Sequence, residues 1–520
     1  PPLPDRADRP VTPDPGEARA AGAAGATSSE PAEGTPFPLT EVQTAYLVGR
    51  TGAYSDGGLG CTGYVEFDLD LAGLGIGDLR DQGERAAVMD RLTQAWDRVC
   101  AAHPMLRAVI GSDGTQSVRP GMQVPMQIEL DPDDERGERL RRELSARQYQ
   151  IDSDRPMMDI VARITDEGVV VHLSIDLLIT DYTGIRSLLH DLDRALDHPD
   201  ERIAPPSLSF AAYQRLRQAR AATSGARAER ERDLAWWRER MTRAPEPLRL
   251  AAPLERPEEG AVSRRRSHHL PGPAWEAFTA ACTEHALTPS SVLLALLGAV
   301  GRRYGSQEES LVTVTAVQRE QLAPDMARIV GDFTTTVLAR VRCTHHLLED
   351  ARATQQEIFD ALEHGSVSGL EASRMIGARD GDGARRARTV PVVFTSTVGA
   401  SPLPGPRRLR VRPGSGISAT PQVLLDVQIT PAGDGVTVDW DSRVGGFDER
   451  LLDEAFADYC AAVDALCTGD RWPDGPALPQ RAPQPVERVG RGSARLEGSV
   501  VLQADADLDA LVRDVIMPQP

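Results

Sequence analysis

The sequence Val169–Gly184, VVVHLSIDLLITDYTG, joins a predicted buried strand to a predicted helix. The run before the first acid is apolar and largely β-branched except for His172 and Ser174, which favours a buried strand. Asp176 and Asp181 then lie at the turn into the helix. Because a helix N-terminus favours negative charge, acids at such a turn fit either a pocket or ordinary caps and surface ion pairs. This stretch alone does not separate the two interpretations.

Length and charge narrow the class of protein. The chain has 520 residues, which indicates about two or three domains. Its apolar and charged fractions, 41% and 26%, are ordinary for a globular protein. The net charge of −19 argues against nucleic-acid binding, because phosphate contacts need a basic face. The sequence contains no lysine, so its basic residues other than histidine are all arginine.

The cysteine spacing and the apolar runs indicate in which cellular compartment the protein is expected. The six cysteines are scattered without the paired spacing typical of metal sites, so we expect reduced thiols and a cytoplasmic protein. The longest apolar run, near Val292–Val300, is too short to span a bilayer. The first residues show no signal-peptide pattern.

Composition also divides the chain. Strand and helix patterns alternate in two stretches, and proline-, glycine- and alanine-rich sequence lies outside and between them. The predicted segments are 1–36, a flexible N-terminal tail or linker; 37–205, an N-terminal lobe; 206–260, a helical and proline-containing connection; 261–480, a C-terminal lobe; and 481–520, a C-terminal tail.

Periodicity predicts an α/β (α+β) protein. A strand, an Asp-Gly turn and a second strand are predicted within 103–116. The pattern predicts helices near 41–48, 78–102, 135–148, 185–196, 205–243, 275–285, 290–304 and 449–467, and strands near 62–70, 169–175, 311–317, 389–395, 423–429 and 436–441.

Several stretches, in order, resemble motifs of the heterocyclization domain of nonribosomal peptide synthetases, a branch of the condensation-domain superfamily. DLLITDYTG resembles the DxxxxDxxS motif that replaces the HHxxxDG of amide-forming condensation domains. The matching stretches are FPLTEVQTAYLVGR (Phe37–Arg50), HPMLRAVIGSDGTQ (His103–Gln116), DLLITDYTG (Asp176–Gly184), LTPSSVLLALLGAV (Leu287–Val300), VGDFTTTVL (Val330–Leu338), PVVFTSTVG (Pro391–Gly399) and ISATPQVLLDVQ (Ile417–Gln428).

The resemblance implies a fold and a set of partners. The fold would be two chloramphenicol-acetyltransferase-like lobes in a V-shaped pseudo-dimer, with a tunnel at their junction. Donor and acceptor peptidyl carrier proteins would deliver thioesters on phosphopantetheine arms, beside neighbouring synthetase domains. No directly bound cofactor, metal, nucleic acid or membrane is implied.

The implied chemistry has two stages. The amine of a carrier-bound Cys, Ser or Thr attacks a donor acyl or peptidyl thioester and forms an amide. The acceptor side chain then adds to the amide carbonyl, and loss of water gives a thiazoline or oxazoline. The second stage needs general acid–base groups close to the reacting atoms.

The catalytic residues follow from the resemblance. The family places its cyclodehydration aspartate at Asp426 and a companion hydroxyl at Thr395, and Ser396 is a reserve. The alternative for Asp426 is a charged residue on an alternating strand face, and the alternative for Thr395 is a hydroxyl that bonds its own backbone.

A second group is predicted to be structural or tunnel-lining. Leu177 stands where amide-forming domains have their catalytic histidine, so a histidine mechanism is absent from this site. Because a buried acid needs a partner, we expect Asp181 to pair with Arg319, which follows the predicted strand at 311–317 and matches an arginine of the family. The predicted supports of the tunnel are Asp176, Asp181, Arg319, Gln318 and Gln422.

Three departures from the family pattern leave alternatives open. Gly184 stands for the usual serine, Gln318 for a frequent asparagine and Ala419 for an expected glutamine. Amide formation without ring closure, or a non-catalytic module that binds carrier proteins, therefore remain alternatives. A second HHxxxD pattern at His345–Ala351 lies in the wrong half of the chain, and we interpret it as a chance match.

Overall fold

The computed structural model describes residues 30–51, 58–130, 134–250, 263–344, 346–376, 390–400, 403–412, 415–468, 472 and 478. The predicted tail at 481–520 and most of the predicted tail at 1–36 lie outside these residues.

The first half of the described chain alternates strands and helices. Its elements are β1 (Phe37–Pro38), α1 (Glu41–Arg50), β2 (Thr62–Leu69), α2 (Gln82–Ala102), β3 (Ala108–Ile110), β4 (Thr115–Val118), β5 (Gln127–Leu130), α3 (Asp134–Ser145), β6 (Met158–Ile164), β7 (Val169–Asp176), α4 (Tyr182–Asp197), α5 (Phe210–Ala221) and α6 (Ser224–Met241).

The second half continues in the same manner. Its elements are β8 (Ser263–Leu270), α7 (Gly272–Glu284), α8 (Pro289–Gly305), β9 (Glu309–Val317), β10 (Thr334–Arg342), α9 (Leu347–Glu363), α10 (Gly369–Ile376), β11 (Val392–Ser396), β12 (Leu409–Val411), β13 (Ile417–Ala419), β14 (Leu425–Ala432), β15 (Gly435–Arg443) and α11 (Glu449–Thr468).

The first sheet has the strand order β12-β2-β7-β6-β5, and β13 also pairs with β2. The predicted strand in the opening stretch is confirmed as β7, whose residues are all buried. The predicted strand–turn–strand is confirmed as the antiparallel pair β3 and β4, which belongs to a separate small sheet with β1.

Two short strands cross from the second half to this first sheet. Leu409 of β12 pairs with Leu69, and Ser418 of β13 pairs with Gly63. The assignment of all of 261–480 to the C-terminal lobe therefore does not hold for these strands. They are three residues long, too short for a periodic pattern, and they are stabilised by hydrogen bonds to a strand far away in the sequence.

The second sheet has the strand order β10-β9-β11-β14-β15-β8. β11 pairs in parallel with both β9 and β14, whereas the other pairs are antiparallel. This arrangement places the strand of PVVFTS beside the strand of VLLDVQ. Two residues that are distant in sequence, Thr395 and Asp426, thereby come to adjacent strands.

The predicted helical connection over 205–243 is present. It consists of two helices, α5 and α6, because the Thr223 hydroxyl accepts a hydrogen bond from the Ala226 amide and begins a new helix. Phe210 and Tyr213 of α5 pack in the first core, whereas Trp237 and Met241 of α6 pack in the second.

Each sheet has its own hydrophobic core. The first core takes in residues from the second half, including Met326, Ile329 and Phe333, so the lobes are joined by packing as well as by β12 and β13. Within the described residues, no single helix is long and apolar enough to cross a membrane. Helices α7 and α8 meet the length and composition test only as a pair, bent by 94°.

Candidate active site between the lobes

A cavity of about 870 Å³ lies between the two sheets. Its walls come from β2, β7 and α4 of the first lobe and from β9, β11, β14 and β15 of the second. Thr395, Ser396, Asp426, Asp181, Arg319 and Gln422 are among the residues that line it. A large concave space with a few converging polar groups is the usual form of a substrate site.

Strand alternation directs Asp426 into this cavity. Its neighbours Leu425 and Val427 on β14 are fully buried in the second core, so Asp426 lies on the opposite face. On the adjacent β11 the same alternation buries Phe394 and directs Thr395 toward the cavity. Thr395 Oγ1 donates a hydrogen bond of 2.9 Å to Asp426 Oδ1.

A second hydroxyl, which the sequence analysis missed, extends this pair. Thr315 Oγ1 of β9 lies 3.0 Å from Thr395 Oγ1. Since the Thr395 proton is directed to Asp426, the Thr315 hydroxyl is the donor in this second hydrogen bond. The alternation of threonines in LVTVTAV (311–317) marks a polar strand face, the one signal for Thr315 in the sequence.

The environment of Asp426 changes its acidity. Burial raises the pKa of Asp426 to about 6, and the Asp441 carboxylate acts in the same direction. Hydrogen bonds from Gln428 and Thr395, together with the charge of Arg265, oppose this increase. The carboxyl of Asp426 therefore changes its protonation state close to physiological pH, as an acid–base group requires.

Ser396, the alternative candidate for the catalytic hydroxyl, lines the cavity but has a different hydrogen-bond partner from Thr395. Ser396 Oγ accepts a hydrogen bond of 2.8 Å from Ser290 Oγ, near the N-terminus of α8. It therefore does not contact the Thr395–Asp426 pair through its hydroxyl.

The predicted pair of Asp181 and Arg319 is present. Arg319 Nη2 donates to Asp181 Oδ1 at 2.7 Å, and the backbone amides of Gly184 and Phe333 also donate to the Asp181 carboxylate, at 2.7 and 3.2 Å. The Arg319 guanidinium stacks over the Phe333 ring at 3.9 Å. Asp181 thus caps α4 of the first lobe and binds a side chain of the second.

Asp176 has a different partner. It is fully buried and forms an ion pair with Arg50 of α1, and its Oδ1 accepts a hydrogen bond of 2.9 Å from the Leu178 amide. Asp176 is not among the residues that line the cavity, so it supports the wall from behind. The sequence analysis did not identify Arg50 as the partner of Asp176.

Of the two glutamines predicted to support the tunnel, only one lines the cavity. Gln318 Oε1 accepts a hydrogen bond of 2.6 Å from Arg217 Nη2 of α5, and Gln318 is not among the cavity-lining residues. Gln422 lines the cavity and has a left-handed backbone, with φ of +65°, at the turn before β14. Gln318 is therefore a contact between elements rather than a wall of the cavity.

The chance HHxxxD pattern has no catalytic geometry in the described residues. Both Asp350 oxygens accept hydrogen bonds from the Thr344 amide, at 3.1 and 2.9 Å, so Asp350 stabilises the turn before α9. His345 lies outside the described residues. Within the described part of the chain, no group of three or more His, Cys, Asp or Glu side chains has the arrangement of a metal site.

The side chain of Thr180 explains why glycine stands at position 184, where the family pattern has a serine. A β-carbon at Gly184 would lie 2.3 Å from Thr180 Oγ1, which is fully buried. We expect Gly184→Ser to lower the free energy of unfolding by about 1–3 kcal/mol through overpacking, measured by chemical denaturation.

Two further variants test this explanation. Gly168→Ser is the matched control, because no atom lies within 4 Å of a β-carbon at that position. In a Thr180→Ala background the loss caused by Gly184→Ser should be smaller. Equal losses in both backgrounds would contradict a clash with Thr180.

Comparison with known proteins identifies the family. A family profile described as "Condensation domain" matches residues 84–371, from α2 to α10. The chain belongs to the condensation-domain family. The match includes β7 and α4 of the first-lobe wall, the Asp181–Arg319 pair and Thr315 on β9. Domains of this family act on carrier-bound substrates together with neighbouring synthetase domains.

Curated relatives extend the similarity beyond the profile. "Pyochelin synthetase PchF" of Pseudomonas aeruginosa is 31% identical over 479 residues, which cover 88% of this condensation domain and 25% of that protein. "Phenyloxazoline synthase MbtB" of Mycobacterium bovis is 32% identical over 470 residues, with coverage of 86% and 31%. The chain thus spans between a quarter and a third of the length of these relatives.

A solved structure confirms the predicted fold. The "EpoB NRPS cyclization-docking bidomain from Sorangium cellulosum" superimposes with a TM-score of 0.71 and 26% identity. The match covers 88% of this chain and 91% of that one.

Proposed function

We propose that this condensation domain is a heterocyclization domain. It condenses a carrier-bound acyl or peptidyl donor with a carrier-bound Cys, Ser or Thr and closes a thiazoline or oxazoline ring. The single observation that carries this proposal is the hydrogen-bonded pair of Thr395 and Asp426 in the cavity wall. The names of the phenyloxazoline synthase MbtB and of the EpoB cyclization domain support the same chemistry.

The first stage forms the amide. The acceptor amine attacks the donor thioester carbonyl, a C–N bond forms, and the C–S bond breaks. The sulfur of the donor arm leaves as a thiol with the proton that the amine loses. The cavity holds both thioester-linked chains near each other, which supplies proximity and orientation. Asp426 and Thr395 are not required for this stage in the proposed mechanism.

The second stage uses Asp426 twice. The ionised carboxylate takes the proton of the acceptor thiol or hydroxyl and passes it to the carbonyl oxygen as the new C–S or C–O bond forms. It then takes the N–H proton and delivers it to the departing hydroxyl, which leaves as water while a C=N bond forms. Asp426 ends ionised, as it began, and Thr395 orients it through the 2.9 Å hydrogen bond.

This mechanism predicts a pH dependence for ring closure. The pKa of Asp426 is raised to about 6, so the carboxyl is protonated below that pH and ionised above it. Because the step begins from the ionised form, we expect the rate of ring closure to rise with pH through a midpoint near 6. Single-turnover assays between pH 5 and 8 measure it. A rate that falls over that range would contradict the assignment of Asp426 as the initial base.

A reconstitution with loaded donor and acceptor carrier proteins tests the function. The proposal predicts a product lighter than the simple amide by one water, as measured by mass spectrometry. Amide alone would support a domain that only condenses, and no product despite carrier binding would support a non-catalytic module. A reaction without the domain is the control for spontaneous coupling.

A further inference from the structure

The crossing strand β13 brings a serine close to Asp426 of the other lobe. Ser418 pairs with Gly63 of the first sheet, yet its backbone amide donates to Asp441 Oδ2 at 2.9 Å. Ser418 Oγ lies 3.4 Å from both Asp426 Oδ2 and Asp441 Oδ2. One residue of the first sheet therefore lies between two carboxylates of the second.

The hydrogen bonds determine where the Ser418 proton points. Gln428 Nε2 donates to Asp426 Oδ2 and to Ser418 Oγ, at 2.7 Å each, so Ser418 Oγ is already an acceptor. Asp441 Oδ2 accepts from the Ser418 amide and from Arg265 Nη2. Asp426 Oδ2 is the less occupied acceptor, and the Ser418 hydroxyl donates toward it.

Arg265 completes the group from β8. Its Nε and Nη2 donate to Asp441 Oδ1 and Oδ2 at 2.7 Å each, and Nη2 also donates to Gln428 Oε1 at 2.9 Å. Such a bidentate pair fixes the carboxylate in both position and plane. Arg265 thus fixes Asp441 and Gln428, and through them the side of Asp426 away from Thr395.

We propose that Ser418 and Arg265 are positioning residues for Asp426, so that the ring-closing acid is complete only when β13 is paired with the first sheet. This inference rests on the proposed function. It assigns a task to the crossing strand, whose pairing with the first sheet supports the second chemical stage and leaves amide formation independent of it. Among the described residues, the titratable or charged groups around Asp426 are Arg265 on β8, Asp441 and Arg443 on β15 and Tyr46 on α1, and Asp439 of β15 lies beside Arg265.

Ser418→Ala is the principal test. Loss of the hydroxyl removes a donor to ionised Asp426, so we expect its pKa to increase and the pH midpoint of ring closure to move upward by about half a unit or more. At neutral pH we expect ring closure to slow by about tenfold with the rate of amide formation unchanged. Ser418→Thr, which keeps the hydroxyl, should restore the wild-type midpoint.

Two further variants separate positioning from stability. Ser415→Ala is the matched control on the crossing segment, because Ser415 Oγ accepts from the Glu66 amide and does not contact Asp426. Its midpoint should equal that of the wild type. Arg265→Lys keeps the charge but loses the bidentate geometry. It should lower the ratio of ring to amide product while the domain stays folded.

A direct titration of Asp426 tests the inference without a measurement of enzyme turnover. The infrared carboxylate band of Asp426, isolated by subtracting the spectrum of Asp426→Asn, should titrate higher in Ser418→Ala than in the wild type. The same titration midpoint in both would overturn the positioning role, even if ring closure occurs. A wild-type domain that forms amide but no ring would instead overturn the proposed function.

Discussion

Replacing Asp426 with asparagine is expected to stop ring closure and to leave amide formation intact. Asparagine has nearly the same size, and its one amide oxygen can still accept from Gln428 while its amide nitrogen donates to the Thr395 hydroxyl. It cannot accept and return a proton, however, and general acid–base catalysis contributes about 10²–10⁴-fold to a rate. The variant should therefore accumulate the uncyclised amide on the acceptor carrier, with ring closure slower by at least about a hundredfold.

The matched control for this variant is Asp434→Asn. Asp434 is an exposed residue in the turn between β14 and β15, so the same change of charge occurs outside the cavity. Its yield of ring product should equal that of the wild type. If Asp426→Asn closed the ring at the wild-type rate, or lost amide formation to the same extent, Asp426 would not be the proton-transfer group of the second stage.

The second large effect is expected at the contact between the lobes. Asp181→Ala removes the carboxylate that binds Arg319 and two backbone amides, and it leaves the buried guanidinium without its counter-charge. Breaking a buried pair in this way costs about 3–5 kcal/mol of the free energy of unfolding. Chemical denaturation of the whole domain, followed by circular dichroism, measures this loss.

An exposed ion pair supplies the control for Asp181. Asp166 pairs with Arg85 at 2.7 Å, but its side chain is 54% exposed. Asp166→Ala should change the free energy of unfolding by less than about 1 kcal/mol, because solvent screens exposed pairs. A loss for Asp181→Ala as small as that of the control would contradict the role of this pair in joining the lobes.

The site residues that could be predicted from the sequence are those for which a family motif or a matching family residue was recognisable. Asp426, Thr395 and Asp181 were identified because each lies in a stretch that resembles a family motif. Arg319 was identified because it follows a predicted strand and matches an arginine of the family. The strands β7, β9, β14 and β15 were predicted because their apolar residues follow a strand pattern over enough positions to be recognised.

The missed features depend on contacts between distant residues. SRRRSHHL, which forms β8, contains too many charges to indicate a strand. Arg264 and Arg266 form ion pairs with an acid of α11. Arg265 forms an ion pair with Asp441 on the other face of the sheet. The short strands β12 and β13 were also not predicted, because they depend on pairing with β2, which is distant in the sequence.

An isotope label in the donor carbonyl oxygen tests the central claim most directly. The amide of the first stage keeps this oxygen, whereas ring closure expels it as water. The account predicts that the wild-type domain gives a carrier-bound product lighter by one water and without the label, and that Asp426→Asn gives the labelled amide. A wild-type product that retains the label, or an Asp426→Asn product that loses it, would contradict the account.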